Sequence, residues 1–232
     1  MHALLETLNQ GLIVSCQPVP GGPMDSAACV EGFALAALQA GAVALRIESV
    51  AYVEAVRART QAPIIGIIKH DLDGYDVRIT PTTEMARELV AAGADIVAFD
   101  ATLRPRPDPV NSIIGAIHDG GAIAMADCAD LADARAALAA GVDCIGSTLS
   151  GYVGPGPEPT LPDFELIEQM SKLGAFVIAE GRIRSPEQAA QALAAGANAV
   201  VVGSAITRTE HIVSWYRDAI AASAAHPGML GA

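Results

Sequence analysis

A lysine stands directly after a wholly apolar run, in which residues 63–68 read Pro-Ile-Ile-Gly-Ile-Ile and Lys69 follows. An amine at the end of a buried strand loses part of its hydration, and this loss lowers its pKa towards the range in which a general base works. The same neutral amine could form a Schiff base with a carbonyl substrate. The structural alternative is a lysine whose stem packs at a rim while its ammonium group stays in water. Lys69 is therefore the first candidate for a catalytic group.

Two acids and an arginine occupy similar places, each at or near the end of an apolar run. Glu180 follows Phe-Val-Ile-Ala, Asp127 follows Ala-Met-Ala, and Arg46 lies close to the end of another run. Each carboxylate could act as an acid or accept a hydrogen bond from a sugar hydroxyl. Each could instead be a structural partner that holds Lys69 or Arg46 in place.

Two glycine-containing turns could bind a phosphate group. Gly181 and Arg182 follow one apolar run, and Gly203 and Ser204 follow the next, with Arg208 just beyond. Backbone N–H groups in such turns bind phosphate, and in (β/α)8 barrels the loops after the seventh and eighth strands often form this site. A single turn of this kind is common, so the prediction depends on the two occurring together.

The elements that must position these groups are marked by a repeated phrase. A helix-like, alanine-rich stretch ends in glycine and a β-rich run follows, as at 41–44, 93–96, 121–124, 141–144, 174–177 and 196–199. Glycine after the last helical turn adopts the left-handed conformation that ends a helix, and the apolar run is typical of a buried parallel strand. Together with the runs that lack this glycine, the phrase predicts eight strands, near 12–17, 42–48, 63–69, 95–101, 122–128, 144–149, 176–181 and 199–204.

Eight strand-then-helix units predict a (β/α)8 TIM barrel in a single domain spanning 1–232. A doubly wound sheet is the alternative, although it would usually need fewer strands for this length. Helices are expected within 84–92, 130–140, 163–173 and 185–195, the last with Ser185 as its N-cap and Pro186 at its first position. Because the active site of a barrel lies at the C-terminal ends of its strands, the polar residues that end the runs should meet there.

Composition and charge argue against several classes of partner. The chain is 52% hydrophobic and 4% aromatic, and its formal net charge is −12. Such an acidic protein is poorly suited to nucleic acid or an anionic membrane, whereas a small phosphorylated ligand needs only backbone N–H groups and one or two arginines. No apolar run is long enough to span a bilayer and the N-terminal residues lack the features of a signal peptide, so we expect a cytoplasmic protein.

Neither a metal nor a cofactor is predicted. The four cysteines have no Cys-X-X-Cys spacing, and Cys16, Cys128 and Cys144 lie in apolar runs that are typical of buried, reduced thiols. His70 is more typical of a solvated loop histidine than of a ligand, and the acidic segment 71–76 lacks the later glutamate of a calcium loop. The segment 151–157 is rich in glycine and proline and could be a lid or an ordinary long loop.

Nine short phrases run in a fixed order over nearly the whole chain. They are Gly-Leu-Ile-Val-Ser-Cys-Gln at 11–17, Leu-Arg-Ile-Glu at 45–48, Pro-Ile-Ile-Gly-Ile-Ile-Lys at 63–69, Arg-Ile-Thr-Pro at 78–81, Arg-Pro-Arg-Pro at 104–107, Met-Ala-Asp-Cys at 125–128, Ser-Thr-Leu-Ser-Gly-Tyr at 147–152, Ile-Ala-Glu-Gly-Arg at 178–182 and Val-Gly-Ser-Ala-Ile-Thr-Arg at 202–208. In these phrases the chain closely resembles the bacterial N-acetylmannosamine-6-phosphate 2-epimerase family. The resemblance implies a barrel of the ribulose-phosphate-binding type, a homodimer, and interconversion of N-acetylmannosamine 6-phosphate and N-acetylglucosamine 6-phosphate in sialic acid or amino-sugar catabolism.

The resemblance also implies roles for individual residues. The catalytic lysine of the family falls on Lys69. Substrate contacts fall on Gln17, Arg46, Asp127 and Glu180, and phosphate contacts on Gly181, Arg182, Gly203, Ser204 and Arg208. Three positions depart from the family pattern: Ser49 and Ala101 stand where glycine is expected, and His70 stands where arginine is expected.

The expected chemistry is proton transfer at C2 of the open-chain sugar, with Lys69 as the base and no metal or redox cofactor. Glu180 and Asp127 would orient hydroxyls or support the developing enolate, and Arg46 could neutralise its charge. A Schiff-base sugar-phosphate aldolase using the same lysine is one alternative. A non-catalytic sugar-phosphate sensor is another, although nothing attached to the barrel would transmit its signal.

Overall fold

The computed structural model describes residues 2–154 and 156–225, which form a closed barrel of eight parallel strands in chain order. The strands are β1 (Gly11–Cys16), β2 (Ala44–Glu48), β3 (Ile64–Ile67), β4 (Ile96–Asp100), β5 (Ile123–Asp127), β6 (Cys144–Gly146), β7 (Phe176–Ala179) and β8 (Ala199–Val202). β8 pairs with β1 in the register Gly11 to Ala199, which closes the sheet. The (β/α)8 prediction is confirmed, and closure excludes the doubly wound alternative. The assignment of all of 1–232 to one domain stays a prediction, since 226–232 lie outside the described residues.

Helices surround the barrel, and each predicted helix begins and ends within two residues of its expected bounds. They are α1 (Ala3–Leu8), α2 (Ala27–Gln39), α3 (Val50–Arg57), α4 (Thr83–Ala91), α5 (Val110–Asp119), α6 (Leu131–Ala140), α7 (Phe164–Ser171), α8 (Pro186–Ala194), α9 (Ser204–Thr207) and α10 (Thr209–Ala225). Ser185 caps α8, as expected, by accepting a hydrogen bond from the backbone N–H of Gln188. Among residues 2–154 and 156–225, no helix combines the length and apolar character needed to cross a membrane.

The core has two layers, which the strand alternation separates. Side chains that point outwards from the strands pack against the helices, and those that point inwards fill the barrel. Leu5 and Leu8 of α1 belong to the inner group, so this first helix closes the N-terminal end of the barrel. Cys16, Cys128 and Cys144 are buried free thiols, which confirms their prediction.

The repeated phrase proves to carry two separate structural functions. Its six glycines all have positive φ, between 75° and 103°, as the helix-ending role requires. The third residue of the phrase ties neighbouring strands together in three of the repeats. Asp95, Asp143 and Asn198 accept hydrogen bonds from the backbone N–H groups of Ile64, Ala124 and Val177, at 2.8–2.9 Å. These clamps hold the start of β4, β6 and β8 against the preceding strand.

Several strands end earlier than predicted, most instructively β3. Its ladder stops at Ile67, two residues before the predicted end, because the connection to α4 folds back between β3 and β4. Lys69 forms an antiparallel bridge with Ile79, and the backbone N–H of Asp100 donates to the carbonyl of Ile79 at 2.8 Å. The predicted sixth, seventh and eighth strands also extend two or three residues too far. Lys69 and Glu180 therefore lie in the connections that follow β3 and β7, whereas Arg46 and Asp127 lie within β2 and β5.

Candidate active site

A cavity of about 540 Å³ opens at the C-terminal end of the barrel. Its wall carries seven cationic side chains and four carboxylates although the whole chain has a net charge of −12. The cations are Arg46, Lys69, Arg78, Arg104, Arg182, Arg184 and Arg208, and the carboxylates are Asp76, Asp100, Glu158 and Glu180. A positive cavity in an acidic protein is suited to a small anion, because the local field concentrates negative charge there.

Arg46 forms the buried centre of the site. Its guanidinium Nη2 lies 2.6 Å from Oδ2 of Asp127 and its Nη1 lies 3.3 Å from Oδ1, so the pair is bidentate. The same Nη1 lies 3.0 Å from Oε2 of Glu180. Burial works against the charge on Arg46, but the two carboxylates outweigh it and raise the pKa of the guanidinium. One cation thus holds two carboxylates from β5 and from the end of β7.

The structure separates the roles of the two acids. Asp127 is fully buried behind Arg46 and does not line the cavity, whereas Glu180 does. Burial raises the pKa of Glu180, and the charge of Asp127 raises it further, although Arg46 and Lys69 oppose this shift. Glu180 is therefore the acid that faces a ligand and holds a proton more readily than an ordinary glutamate.

Lys69 extends into the cavity from the loop after β3. Its side chain is exposed to the open cavity, but the surrounding protein displaces much of the water around its amine. Desolvation lowers its pKa to about 8, and the charges of Arg208 and Arg46 act in the same direction. No carboxylate lies within 4.0 Å of its amine in the part of the chain that the structure describes. An amine in this state has the properties that the sequence predicted for a base.

Gln17 lines the cavity where β1 ends. Its Nε2 donates to Oγ of Ser15 at 2.7 Å, and its buried Oε1 has no partner among the described residues. A buried amide oxygen without a partner is costly, so Gln17 is prepared to accept a hydrogen bond from a bound ligand. Its backbone carbonyl accepts from Nε of Arg208 at 2.7 Å, which fixes that arginine beside the cavity.

The two predicted glycine turns meet at one side of the cavity. Gly181, with φ of 113°, follows β7, and Gly203 precedes the short helix α9 that begins at Ser204. A side chain at Gly203 would approach the Cβ of Ser15 to 3.3 Å, so the turn packs closely against β1. Arg208 lines the same side. The structure thus brings together four of the five residues predicted to contact phosphate in the way that the sequence suggested.

The fifth, Arg182, is placed differently. Its guanidinium donates to the carbonyl of Leu161 at 2.7 Å and to the carbonyl of Ser150, and it lies 5.3 Å from the ring centre of Tyr152. These contacts fasten both ends of the β6–α7 segment, whose residue Pro155 lies outside the described residues. The side chain of Arg182 therefore holds a loop at the rim, while its backbone remains in the glycine turn.

Several residues of the wall were not singled out from the sequence. Arg104 pairs with the buried Asp100 at 2.6 Å, and Arg184 lies 4.7 Å from the ring of Trp215. The only sequence signal for the second pair is that Trp215 is the single tryptophan of the chain. His70, by contrast, is exposed and lies outside the main cavity, which confirms its assignment as a solvated loop residue.

Comparisons with known proteins identify the family to which this chain is similar. The family described as "Putative N-acetylmannosamine-6-phosphate epimerase" matches residues 30–222. A protein of Edwardsiella ictaluri named "Putative N-acetylmannosamine-6-phosphate 2-epimerase" is 56% identical over 218 residues, covering 94% of this chain and 92% of its own. The "Bifunctional enzyme NanE/NanK" of Brucella melitensis is 55% identical over 224 residues, and the match covers 97% of this chain but 43% of that enzyme. The chain thus spans less than half the length of the bifunctional relatives.

Solved structures give the same result at the level of the fold. The N-acetylmannosamine-6-phosphate 2-epimerase of Clostridium perfringens superimposes with a TM-score of 0.90 at 39% identity, covering 94% of this chain and 96% of that chain. A thiamine phosphate pyrophosphorylase of Pyrococcus furiosus superimposes with a TM-score of 0.61 at 18% identity, covering 88% of this chain and 89% of that chain. The second likeness concerns the barrel fold alone.

Proposed function

Because this chain belongs to the N-acetylmannosamine-6-phosphate epimerase family, we propose that it interconverts N-acetylmannosamine 6-phosphate and N-acetylglucosamine 6-phosphate. The observation that carries the proposal is the pairing inside one cationic cavity of Lys69, with its pKa lowered to about 8, and Glu180, with its pKa raised. One group is prepared to take a proton near neutral pH, and the other to hold one. Epimerisation at a carbon next to a carbonyl needs both capacities.

In the proposed reaction, the neutral amine of Lys69 takes the proton from C2 of the open-chain sugar. The electron pair of the broken C–H bond moves towards C1, and negative charge develops on the carbonyl oxygen. Arg46 and the protonated carboxyl of Glu180 stabilise that charge. Return of a proton to the opposite face of C2 gives the epimer, delivered either by Lys69 or by a second group.

Binding of the phosphate group is assigned to the side of the cavity formed by Gly181, Gly203, Ser204 and Arg208. The support is the meeting of the two glycine turns with an arginine fixed by Gln17. For Arg182, only the backbone is assigned to this site, since its guanidinium is bonded to loop carbonyls. Gln17 is assigned to substrate binding through its unpartnered amide oxygen.

Asp127 is proposed to act through Arg46 and not by direct contact. It is fully buried, and Arg46 lies between it and the cavity. Removing one charge of a buried pair leaves the other uncompensated, so Asp127 fixes both the position and the charge state of Arg46. The sequence had left open whether this acid contacts substrate or holds a partner, and its burial supports the second role.

Proton NMR of the sugar phosphate in heavy water tests the proposed function directly. Addition of the protein to N-acetylmannosamine 6-phosphate should remove the C2 proton signal and produce the signals of the other epimer. Lys69→Met, with an unchanged melting curve, should abolish both changes. Retention of the C2 proton with the wild-type protein would refute the proposal.

Borohydride trapping distinguishes the epimerase from the Schiff-base aldolase. The aldolase requires a covalent adduct at Lys69, so reduction in the presence of substrate would increase the mass of the protein. The epimerase mechanism predicts no such increase. A sensor would bind the sugar phosphate without exchanging its C2 proton, so the NMR experiment also separates that alternative.

Two further predictions concern the protein in the cell. A homodimer is supported by an exposed apolar row on α10, formed by Val213, Tyr216 and Ile220. These residues recur at helical spacing and so lie on one face. A cytoplasmic location is consistent with four free cysteines, since reducing compartments keep thiols unpaired.

A further inference from the structure

We propose that Thr148 is a positioning residue that decides which of the two carboxylates in the site carries a proton. Its hydroxyl donates to Asp127, so its oxygen is left to accept a hydrogen bond from Glu180, which is the group that holds and releases a proton. The catalytic meaning of this assignment rests on the proposed function, whereas the proton distribution itself does not.

The geometry around the hydroxyl is unequal. Oγ1 of Thr148 lies 2.6 Å from Oδ1 of Asp127 and 3.3 Å from Oε2 of Glu180. A hydroxyl has a single proton to donate, so it cannot serve both acceptors at once. The shorter distance is in the usual range for a hydroxyl and a carboxylate, so the hydroxyl donates its hydrogen to Asp127. The oxygen of the hydroxyl can then accept a hydrogen bond from the protonated carboxyl of Glu180.

The other groups around the two acids give Asp127 more hydrogen-bond donors than Glu180, although the cations act on both. Asp127 already accepts from both terminal nitrogens of Arg46, at 2.6 and 3.3 Å, so the hydroxyl completes its set of donors. Glu180 faces Arg46 on β2 at 3.0 Å, Lys69 after β3, Asp127 on β5 and Thr148 after β6. Burial and the nearby charge of Asp127 raise the pKa of Glu180, and they outweigh Arg46 and Lys69, which lower it.

The backbone fixes this arrangement. The hydroxyl of Ser147 donates to the carbonyl of Glu180 at 2.9 Å, and the same hydroxyl oxygen accepts from the backbone N–H of Glu180 at 3.1 Å. The ends of β6 and β7 are therefore joined one residue away from Thr148. Consequently, the backbone positions from which the side chains of Thr148 and Glu180 extend are fixed relative to each other.

The test uses Thr148→Val, which keeps the shape of the side chain but removes the hydroxyl, with Thr148→Ser as the matched control that keeps it. The titration of Glu180 is followed by NMR of protein labelled with 13C at the glutamate side-chain carboxyl. The signal is assigned by its absence from Glu180→Gln. This measurement needs no substrate, so it stands whether or not the protein is an epimerase.

Loss of the hydroxyl should move the midpoint of Glu180 down by about one pH unit, a tenfold change in proton occupancy, because the protonated carboxyl loses the oxygen that accepts its hydrogen bond, and a buried hydrogen bond has about that strength. Thr148→Ser should keep the wild-type midpoint. An unchanged midpoint in Thr148→Val would overturn the inference, and so would equal shifts in both variants. Thr148→Ala is titrated in parallel and must shift as Thr148→Val does, which covers the case in which the valine variant does not fold.

Activity gives an independent second reading. The pH profile of kcat/KM is first compared between wild-type protein and Glu180→Gln, which identifies the limb that depends on Glu180. In Thr148→Val, that limb should shift by the same amount as the NMR midpoint. If wild-type protein fails to exchange the C2 proton, the proposed function fails while the titration result remains. If the profile is unchanged although the midpoint moves, Glu180 is not the proton-holding group in catalysis and the catalytic part of the inference is overturned.

Discussion

Raising the pH through 8 should convert Lys69 from ammonium to free amine, and the rate of C2 proton exchange should follow that conversion. The direction comes from the site: desolvation, Arg208 and Arg46 all penalise the charged form and lower the pKa to about 8. Because the base must be neutral, kcat/KM should rise about tenfold per pH unit well below 8 and level off above it.

The size of the effect follows from the shift. At pH 7, an amine with a pKa of about 8 is about 9% neutral, whereas one at the ordinary 10.5 is about 0.03% neutral. The lowered pKa therefore increases the fraction of the neutral amine by about two orders of magnitude. No rearrangement of the protein is needed for this gain, since the groups responsible surround Lys69 before substrate binds.

The sequence offers an unusually clean assay, because Lys69 and Lys172 are its only lysines. Protein labelled with 13C at the lysine ε carbon should give two signals. Lys172, which is exposed and bonded to Glu168 at 2.7 Å, provides the reference. Its signal is assigned by Lys172→Arg, a substitution on the outside of the barrel that should not change activity. The midpoint of the other signal should lie near 8 and coincide with the acidic limb of the rate profile.

Two results would refute this reasoning. A midpoint for Lys69 at or above 10 would mean that the cavity solvates the ammonium group well, and the cause assigned to the shift would be wrong. A midpoint near 8 combined with a rate limb elsewhere would mean that another group is the base. In either case Lys69→Met would help to decide, since a true base leaves no residual limb when it is removed.

Three further predictions concern stability and loop order. Asp127→Asn should reduce activity and lower the free energy of unfolding, measured by urea denaturation, by about 3 kcal/mol; this is the low end for a broken buried pair, because a second carboxylate remains on Arg46. The matched Asp95→Asn, at the other end of the barrel, should lower it by less than about 1 kcal/mol and leave activity unchanged. Equal losses of stability in the two variants would contradict the argument. The backbone of Ser49 is strained, with φ of 74° and ψ of 149°, so Ser49→Gly should raise the free energy of unfolding by about 1 kcal/mol. Ser49→Ala keeps the strain and loses the hydrogen bond that caps α3, so it should lower the free energy of unfolding by about 1 kcal/mol. A change of the same sign in both variants would show that the strain is absent. Arg182→Gln should accelerate hydrogen exchange in 150–161, measured by mass spectrometry, and unchanged exchange there would mean that the arginine does not hold the loop.

The local sequence was sufficient to predict the barrel, because its signals are local. Glycines that end helices adopt a positive φ whatever surrounds them, and apolar runs of strand length must be buried. The predicted meeting of residues such as Lys69 and Glu180 has the same origin: strands in a barrel all end on one side, and both residues line the cavity there. Strand ends were less accurate, because the segment inserted between β3 and β4 belongs to no local pattern.

The roles within the site depended on tertiary structure. Arg46 and Asp127 are 81 residues apart in the chain, and only folding reveals that they form a bidentate pair that conceals the acid from the cavity. In the same way, Arg182 was expected at the phosphate by its position in a turn, yet carbonyls of a distant loop use its donors. Sequence order determines which groups reach the end of the barrel. Which donor each acceptor receives is decided by the three-dimensional packing, and the chemistry of Lys69, Glu180 and their neighbours follows from that distribution of hydrogen bonds and charge.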